Sequence, residues 1–155
     1  MRKLAKSGLK NDFFKKVYPT GTKLGQLYGL PKVHKPNIPL RPILGATSTH
    51  NFKLAKELVP ILAPFTTNGF TINDCFSFAS EIASFSSNED VIMASCDIEN
   101  LFTNIPVDET INITVNKLFS SSNEVLGLSK ENFKLLLSLA VKNCHFTCDQ
   151  KIYRQ

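Results

Sequence analysis

Between Val107 and Phe119, Ile111, Val115 and Leu118 recur at three- and four-residue intervals, the spacing that lines one face of an α-helix. From Ser129 to Asn143 the same period returns in Phe133, Leu136, Leu137 and Ala140, and Ser129 is a natural N-cap because its hydroxyl accepts from a first-turn N–H. A third stretch, Asn51 to Phe65, carries Phe52, Leu54, Ala55, Leu58, Val59 and Leu62 at helical spacing, with Pro60 and Pro64 either kinking the helix or limiting its end. Arg2 to Val17 is helix-compatible on a looser face of Leu4, Leu9, Phe13 and Phe14, and Pro19, Gly21 and Gly25 break it. Asn73 or Asp74 caps a further helix running through Phe76, Phe78, Ile82 and Phe85, and the serines after it read as a loop.

The remaining stretches favour extended chain. Pro31, Pro36, Pro39 and Pro42 forbid helix between Leu27 and Ala46, where short strands are expected near Gln26–Gly29 and Arg41–Gly45. Val91 to Cys96 is a continuous apolar run and is expected to be a buried central strand. His145 to Arg154 divides into two short segments around Asp149-Gln150, which predicts a hairpin with a weaker turn signal than Asn-Gly. Helices and strands in this order, in 155 residues of which 43% are hydrophobic, predict an α+β unit with one core. No apolar run reaches the roughly 18 residues of a membrane span, and the basic start MRKLAKSGLK has no apolar region behind it. The expectation is an intracellular protein, nuclear or cytoplasmic, with no membrane partner.

Charge sharpens this picture. Met1 to Pro60 holds twelve Lys or Arg against Asp12 and Glu57, whereas Ile61 to Gln155 holds six against eleven acids. Such a basic front half suits contact with a phosphate backbone, and equally a solvated lysine-rich surface. Cys75, Cys96, Cys144 and Cys148 lack the spacing of a disulfide framework and read as reduced thiols. Cys144, His145 and Cys148 have no second cysteine pair to close a zinc site, so buried or half-buried strand positions are expected. His34 and His50 show no metal-ligand spacing.

The sharpest chemistry follows the apolar run, in Cys96-Asp97-Ile98-Glu99-Asn100-Leu101-Phe102-Thr103-Asn104-Ile105-Pro106. An aspartate closing a buried strand is costly unless paired or bound to a metal, and magnesium is the natural partner of a carboxylate so placed. On Asp97 alone a turn or N-cap aspartate for the segment that follows is the favoured reading. Upstream lie Leu27-Tyr28-Gly29-Leu30-Pro31-Lys32-Val33-His34-Lys35-Pro36 and then Leu40-Arg41-Pro42-Ile43. Taken together, YGLPKVHKP, LRPI and CDIENLFTNIPVDETI resemble the successive fingers and palm motifs of Penelope-like reverse transcriptases, and the final KIYRQ resembles the segment leading into that family's next motif. The resemblance runs from about Leu27 to the end of the chain.

That resemblance implies roles residue by residue. Asp97 matches the first catalytic carboxylate, where the family binds two Mg²⁺ ions, and the Ile98 carbonyl is a further expected metal ligand. Phe102 falls where such polymerases set an aromatic ring against the sugar of the incoming nucleotide, and its bland alternative is a core aromatic. Arg41 matches a fingers arginine that holds the triphosphate, a task that suits a guanidinium fork, although a surface carboxylate would suit it too. Lys32 and Lys35 are the basic residues of the matching fingers motif, on triphosphate or on template backbone. Glu99 has no role in this scheme, and Asp108-Glu109 complement the dipole of the next helix.

The implied whole is an incomplete right-hand polymerase domain, with a basic helical segment over 1–26 and partial fingers and palm over 27–155 that end before the second catalytic aspartates. Its family's reaction is RNA-directed DNA synthesis on an RNA template and DNA primer from deoxynucleoside triphosphates. The chain as given, supplying Asp97 alone to a two-metal centre, is expected to be a remnant or partial gene product that is inactive by itself. A non-enzymatic nucleic-acid-binding protein derived from such an element is the alternative, and a structural domain without a ligand is a third.

Overall fold

The computed structural model describes residues 1–86, 92–99, 101–142 and 144–154, with the backbone alone at 102 and 103. The chain forms helices α1 (Arg2–Lys6) and α2 (Asn11–Val17), strands β1 (Gly25–Pro31) and β2 (Leu40–Gly45), and helix α3 (Phe52–Leu62), which tightens into a 3₁₀ turn over Ala63–Phe65. Helices α4 (Cys75–Ser84), α5 (Leu101–Asn104), α6 (Val107–Leu118) and α7 (Lys130–Val141) follow, and strands β3 (His145–Cys148) and β4 (Lys151–Arg154) close the order. The result is the expected α+β class.

The core is helical. Leu4 of α1, Phe13 and Val17 of α2, Leu54 and Leu58 of α3, Ile111, Val115 and Leu118 of α6, and Phe133, Leu136, Leu137 and Ala140 of α7 pack into one buried cluster with Leu9 and Leu128. These are the positions that the 3.6-residue period selects, and burying each large side chain contributes about 1.5–3 kcal/mol. Phe133 is fully buried and meets Phe119 edge to face at 5.8 Å between ring centres. Ser129 caps α7 as its position implies, its hydroxyl accepting from the Asn132 N–H at 3.5 Å.

Two helices replace the continuous one expected from Arg2 to Val17. Gly8 breaks the run with φ of +103°, a conformation that costs an L side chain dearly. A Cβ there would lie 2.6 Å from the carbonyl oxygen of Gly127, so the two glycines let the chain cross its own backbone at close range. Lys10 N–H donates to the Leu126 carbonyl beside that crossing, at 3.1 Å. The apolar face survives the break, with Leu4, Leu9, Phe13 and Val17 all buried. Pro60 neither stops α3 nor costs a core residue, because it is exposed and the helix runs on to Leu62.

The sheet has the order β2-β1-β3-β4. β1 and β2 pair antiparallel from Gln26↔Gly45 to Pro31↔Leu40, β1 and β3 pair parallel only at Gly25↔Phe146 and Gln26↔Thr147, and β3 and β4 form the hairpin predicted around Asp149-Gln150. Both turn residues have positive φ, 47° and 60°, the twist that a two-residue hairpin of this hand requires. Cys148 lies half-buried in β3, and Cys144, also half-buried, precedes it, whereas His145 is exposed.

The expected central strand at Val91–Cys96 is not formed. Val91 lies outside the described residues; Ile92 to Cys96 have no regular structure, and Ile92 is 95% exposed and Met93 76% exposed. An apolar run becomes a buried strand only when neighbours pair its edges and cover its faces, and the four strands here pair without it. Helix α4 forms where expected with Asp74 as its cap, yet it buries no residue, and its Phe76 and Ile82 face solvent. Among the described residues no helix is long and apolar enough to cross a membrane.

Candidate functional site

The β1–β2 hairpin gathers three of the residues singled out by their chemistry. Its ladder continues one step past the strands, where Lys32 N–H donates to the Pro39 carbonyl at 2.9 Å. The loop beyond is tied by Lys35 N–H to the Lys32 carbonyl at 3.0 Å and by Ile38 N–H to the Lys35 carbonyl at 3.1 Å. Asn37 and Ile38 turn the chain with positive φ, 61° and 42°. The four prolines act as the sequence implies, with Pro31 and Pro42 in the extended strands and Pro36 and Pro39 in the loop between them.

Register then sets the faces. Directly opposed residues of an antiparallel pair share a face, and alternate residues return to it. Tyr28, Leu30 and Lys32 of one arm therefore share a face with Ile43, Arg41 and Pro39 of the other. Arg41 and Lys35 are exposed and Lys32 is half-buried. Among the described residues none of the three makes an ion pair, so the surface carboxylate that would have claimed Arg41 has no counterpart there. A guanidinium and two ammoniums are left facing solvent at the end of one hairpin, a donor set suited to phosphate oxygens.

Asp97 and Ile98 lie elsewhere, in the exposed segment between α4 and α5. The burial expected for Asp97 is absent, because no strand carries it into the interior; the desolvation argument for a metal partner does not apply to it. One of its carboxylate oxygens, Oδ1, accepts from the Ile98 N–H at 2.8 Å. Asn104 Nδ2 donates to the Glu99 carbonyl at 3.0 Å and folds the segment onto α5. Phe102 belongs to α5, and its ring lies outside the described residues. Among the described residues no hydrogen bond or ion pair joins Asp97 to the hairpin, and no group of three or more His, Cys, Asp and Glu is assembled for a metal ion. The metal role expected of Asp97 and the Ile98 carbonyl thus finds no assembled ligand group among the described residues. The two groups do not by themselves make a pair of metal sites.

Local patterning assigns Asn51 no role beyond the start of a helical stretch. It does not cap α3 with its side chain. Its Nδ2 donates to the Ala140 carbonyl at 2.8 Å, near the end of α7, and contacts Cys144 Sγ at 3.3 Å, while its Oδ1 lies 2.8 Å from Thr49 Oγ1. One buried amide thereby fastens the base of the hairpin to α7 and to the residue before β3. The pairing spans 89 positions, which no local pattern can show. Asp108, expected to serve the α6 dipole, does sit in its first turn and also pairs with Lys142.

A cleft of about 500 Å³ opens at the base of the hairpin, away from the Lys32–Arg41 end, between α2, α3 and the loops flanking the strands. Its lysines are spread over the first fifty-six residues, and nothing in their spacing groups them. Comparison of the chain with known protein families, with curated proteins and with solved structures found no match to any of them.

Proposed function

We propose that the chain is the fingers and first palm portion of a reverse transcriptase of the Penelope-like type, acting in Mg²⁺-dependent DNA synthesis on an RNA template. The observation that carries this reading is the hairpin. The motifs YGLPKVHKP and LRPI supply its two arms, and their basic residues Lys32, Lys35 and Arg41 share one end of it without ion-pair partners among the described residues. In this reading Arg41 and Lys32 hold the triphosphate of an incoming deoxynucleotide, and Lys35 reaches either that group or the template backbone. Asp97 and the Ile98 carbonyl hold one Mg²⁺, which when bound neutralises charge on the phosphates. Phe102 lies against the sugar. Further carboxylates are required before a primer can be extended, so the 155 residues alone are expected to bind without synthesis.

The charge asymmetry favours a second reading that does not need Asp97: a non-catalytic protein that binds RNA or DNA through its basic first sixty residues. Two measurements separate them. Addition of a deoxynucleoside triphosphate with magnesium is expected to shift the amide resonances of Lys32 to Arg41, and Arg41→Ala is expected to abolish those shifts; unmoved resonances in that loop would overturn the nucleotide site. Joined to the remaining palm carboxylates, the chain is expected to extend a primer on RNA, and Asp97→Asn to slow extension about a thousandfold or more. Full activity in that variant would refute the metal role of Asp97, and no synthesis from the assembled protein would leave the binding protein as the better reading.

A further inference from the structure

We infer that the cleft at the base of the β1–β2 hairpin is a second anion site, built for a compact polyphosphate and separate from the basic cluster at the hairpin's other end. Lys16 of α2, Lys23 ahead of β1, and Lys53 and Lys56 of α3 line it, and Glu57 is the single acid among the lining residues. All four lysines are exposed, and none makes an ion pair among the described residues. Like charges brought to one concave surface repel one another, and low-dielectric walls strengthen the field they share. An anion carrying several charges relieves that repulsion, and the net balance of the lining asks for about three.

The walls are fixed by backbone, not by the lysines. Gly21 lies so close to the Ser48 and Thr49 carbonyls that a Cβ would collide with them, and Lys23 N–H donates to the Ser48 carbonyl at 3.3 Å. Thr49 is held by the Ala46 carbonyl, 2.7 Å from its hydroxyl, and by Asn51. The loops before and after the hairpin are thereby locked together, and Thr20, Thr22, Thr47 and Ser48, each with a hydroxyl, are among the residues that line the space they enclose. Among the described residues those four hydroxyls have no hydrogen-bond partner within the chain.

Donor density identifies the ligand. Each ammonium offers three N–H groups and each hydroxyl one O–H, and the residues that carry them line one cleft of about 500 Å³. A phosphodiester strand brings one charge per nucleotide and spreads its acceptors along its length, whereas a terminal phosphate alone carries three strong acceptor oxygens. A short chain of phosphates, free or on a nucleoside, concentrates acceptors as the cleft concentrates donors. β1 separates this cleft from the Lys32–Arg41 end by roughly 20 Å at about 3.3 Å per residue, too far for one triphosphate to span. The site therefore stands whether or not the hairpin end binds nucleotide.

Calorimetric titration of the 155-residue protein with inorganic tripolyphosphate at low salt tests it. Binding at the cleft is expected to shift the amides of Gly21–Lys23 and Ser48–Lys53, a set distinct from the Lys32–Arg41 amides that report the hairpin's other end. Lys53→Gln with Lys56→Gln is expected to remove those shifts and to weaken binding at the cleft at least tenfold, Lys16→Gln to weaken it less, and Lys151→Gln, on β4, to leave it unchanged, with thermal unfolding confirming that each variant is folded. ATP binding as tightly as tripolyphosphate would place recognition in the phosphates, and tighter ATP binding would add a contact to the nucleoside; both support the site. No binding by the parent, equal binding by the Lys53/Lys56 variant, or single-stranded RNA that occupies the cleft and is not displaced by tripolyphosphate would overturn the proposal.

Discussion

Asn51 carries more of the architecture than its size suggests. It is a buried polar residue, 7% exposed, whose amide satisfies an α7 carbonyl that the helix itself leaves open. Replacing it with Ala strands the Ala140 carbonyl in the interior, and a lost partner of this kind costs about 1–3 kcal/mol. Asn51→Ala is therefore expected to lower the unfolding free energy by that amount and so to move the denaturant midpoint down, and an unchanged midpoint would show that water reaches the carbonyl instead. Phe102 is argued at the same scale from its offset after Asp97. If its bulk excludes a 2′-hydroxyl, Phe102→Val in a protein able to extend primers is expected to admit ribonucleotides far more readily, and equal discrimination by parent and variant would end that assignment.

Among the elements, α4 depends most on its cap, because it buries no side chain among the described residues. Asp74 Oδ1 accepts from the N–H groups of Phe76 and Ser77 at 2.9 Å each, and Oδ2 accepts from the Ser77 hydroxyl at 2.6 Å. The Ser77 side-chain bond first, then the backbone N–H groups of Ser77 and Phe76, hold the Asp74 carboxyl below its ordinary value of 3.8. A depressed carboxylate stabilises the helix fully above its unfolded pKa and loses that contribution as pH falls through the folded one. Protection of the α4 amides, taken relative to the intrinsic exchange rate at each pH, is thus expected to fall below about pH 4, and Asp74→Ala to show the reduced protection already at pH 7. Exchange that ignores both changes would mean that something other than the cap holds α4. The strand expected at Val91–Cys96 makes the complementary point: strand propensity and an apolar run do not form an element whose partners the fold does not bring alongside.

For the whole molecule the division of charge matters more than any one contact. With a balance of twelve bases to two acids in the first sixty residues and six to eleven in the rest, binding to single-stranded RNA is expected to weaken steeply with salt, by about 0.7 in log–log slope for each phosphate contact. Neutralising Lys32, Lys35 and Arg41 together is expected to reduce that slope by about two, and a flat titration of the parent would remove the electrostatic account. Local sequence accounts for the local parts of this protein: α6 and α7 from their apolar period, the Asp74 and Ser129 caps, the two proline-bounded strands and the turn at Asp149-Gln150. Each of these depends on residues within a turn or two of one another, so neighbouring letters contain the cause. Only the tertiary structure decided that Gly8 and Gly127 cross, that Asn51 spends its amide on α7, that Asp97 stands in solvent, and that four lysines from three separate stretches meet in one cleft. Those outcomes are set by which surfaces the helical core brings together across the chain, and a pairing 89 residues apart leaves no periodic trace in either partner.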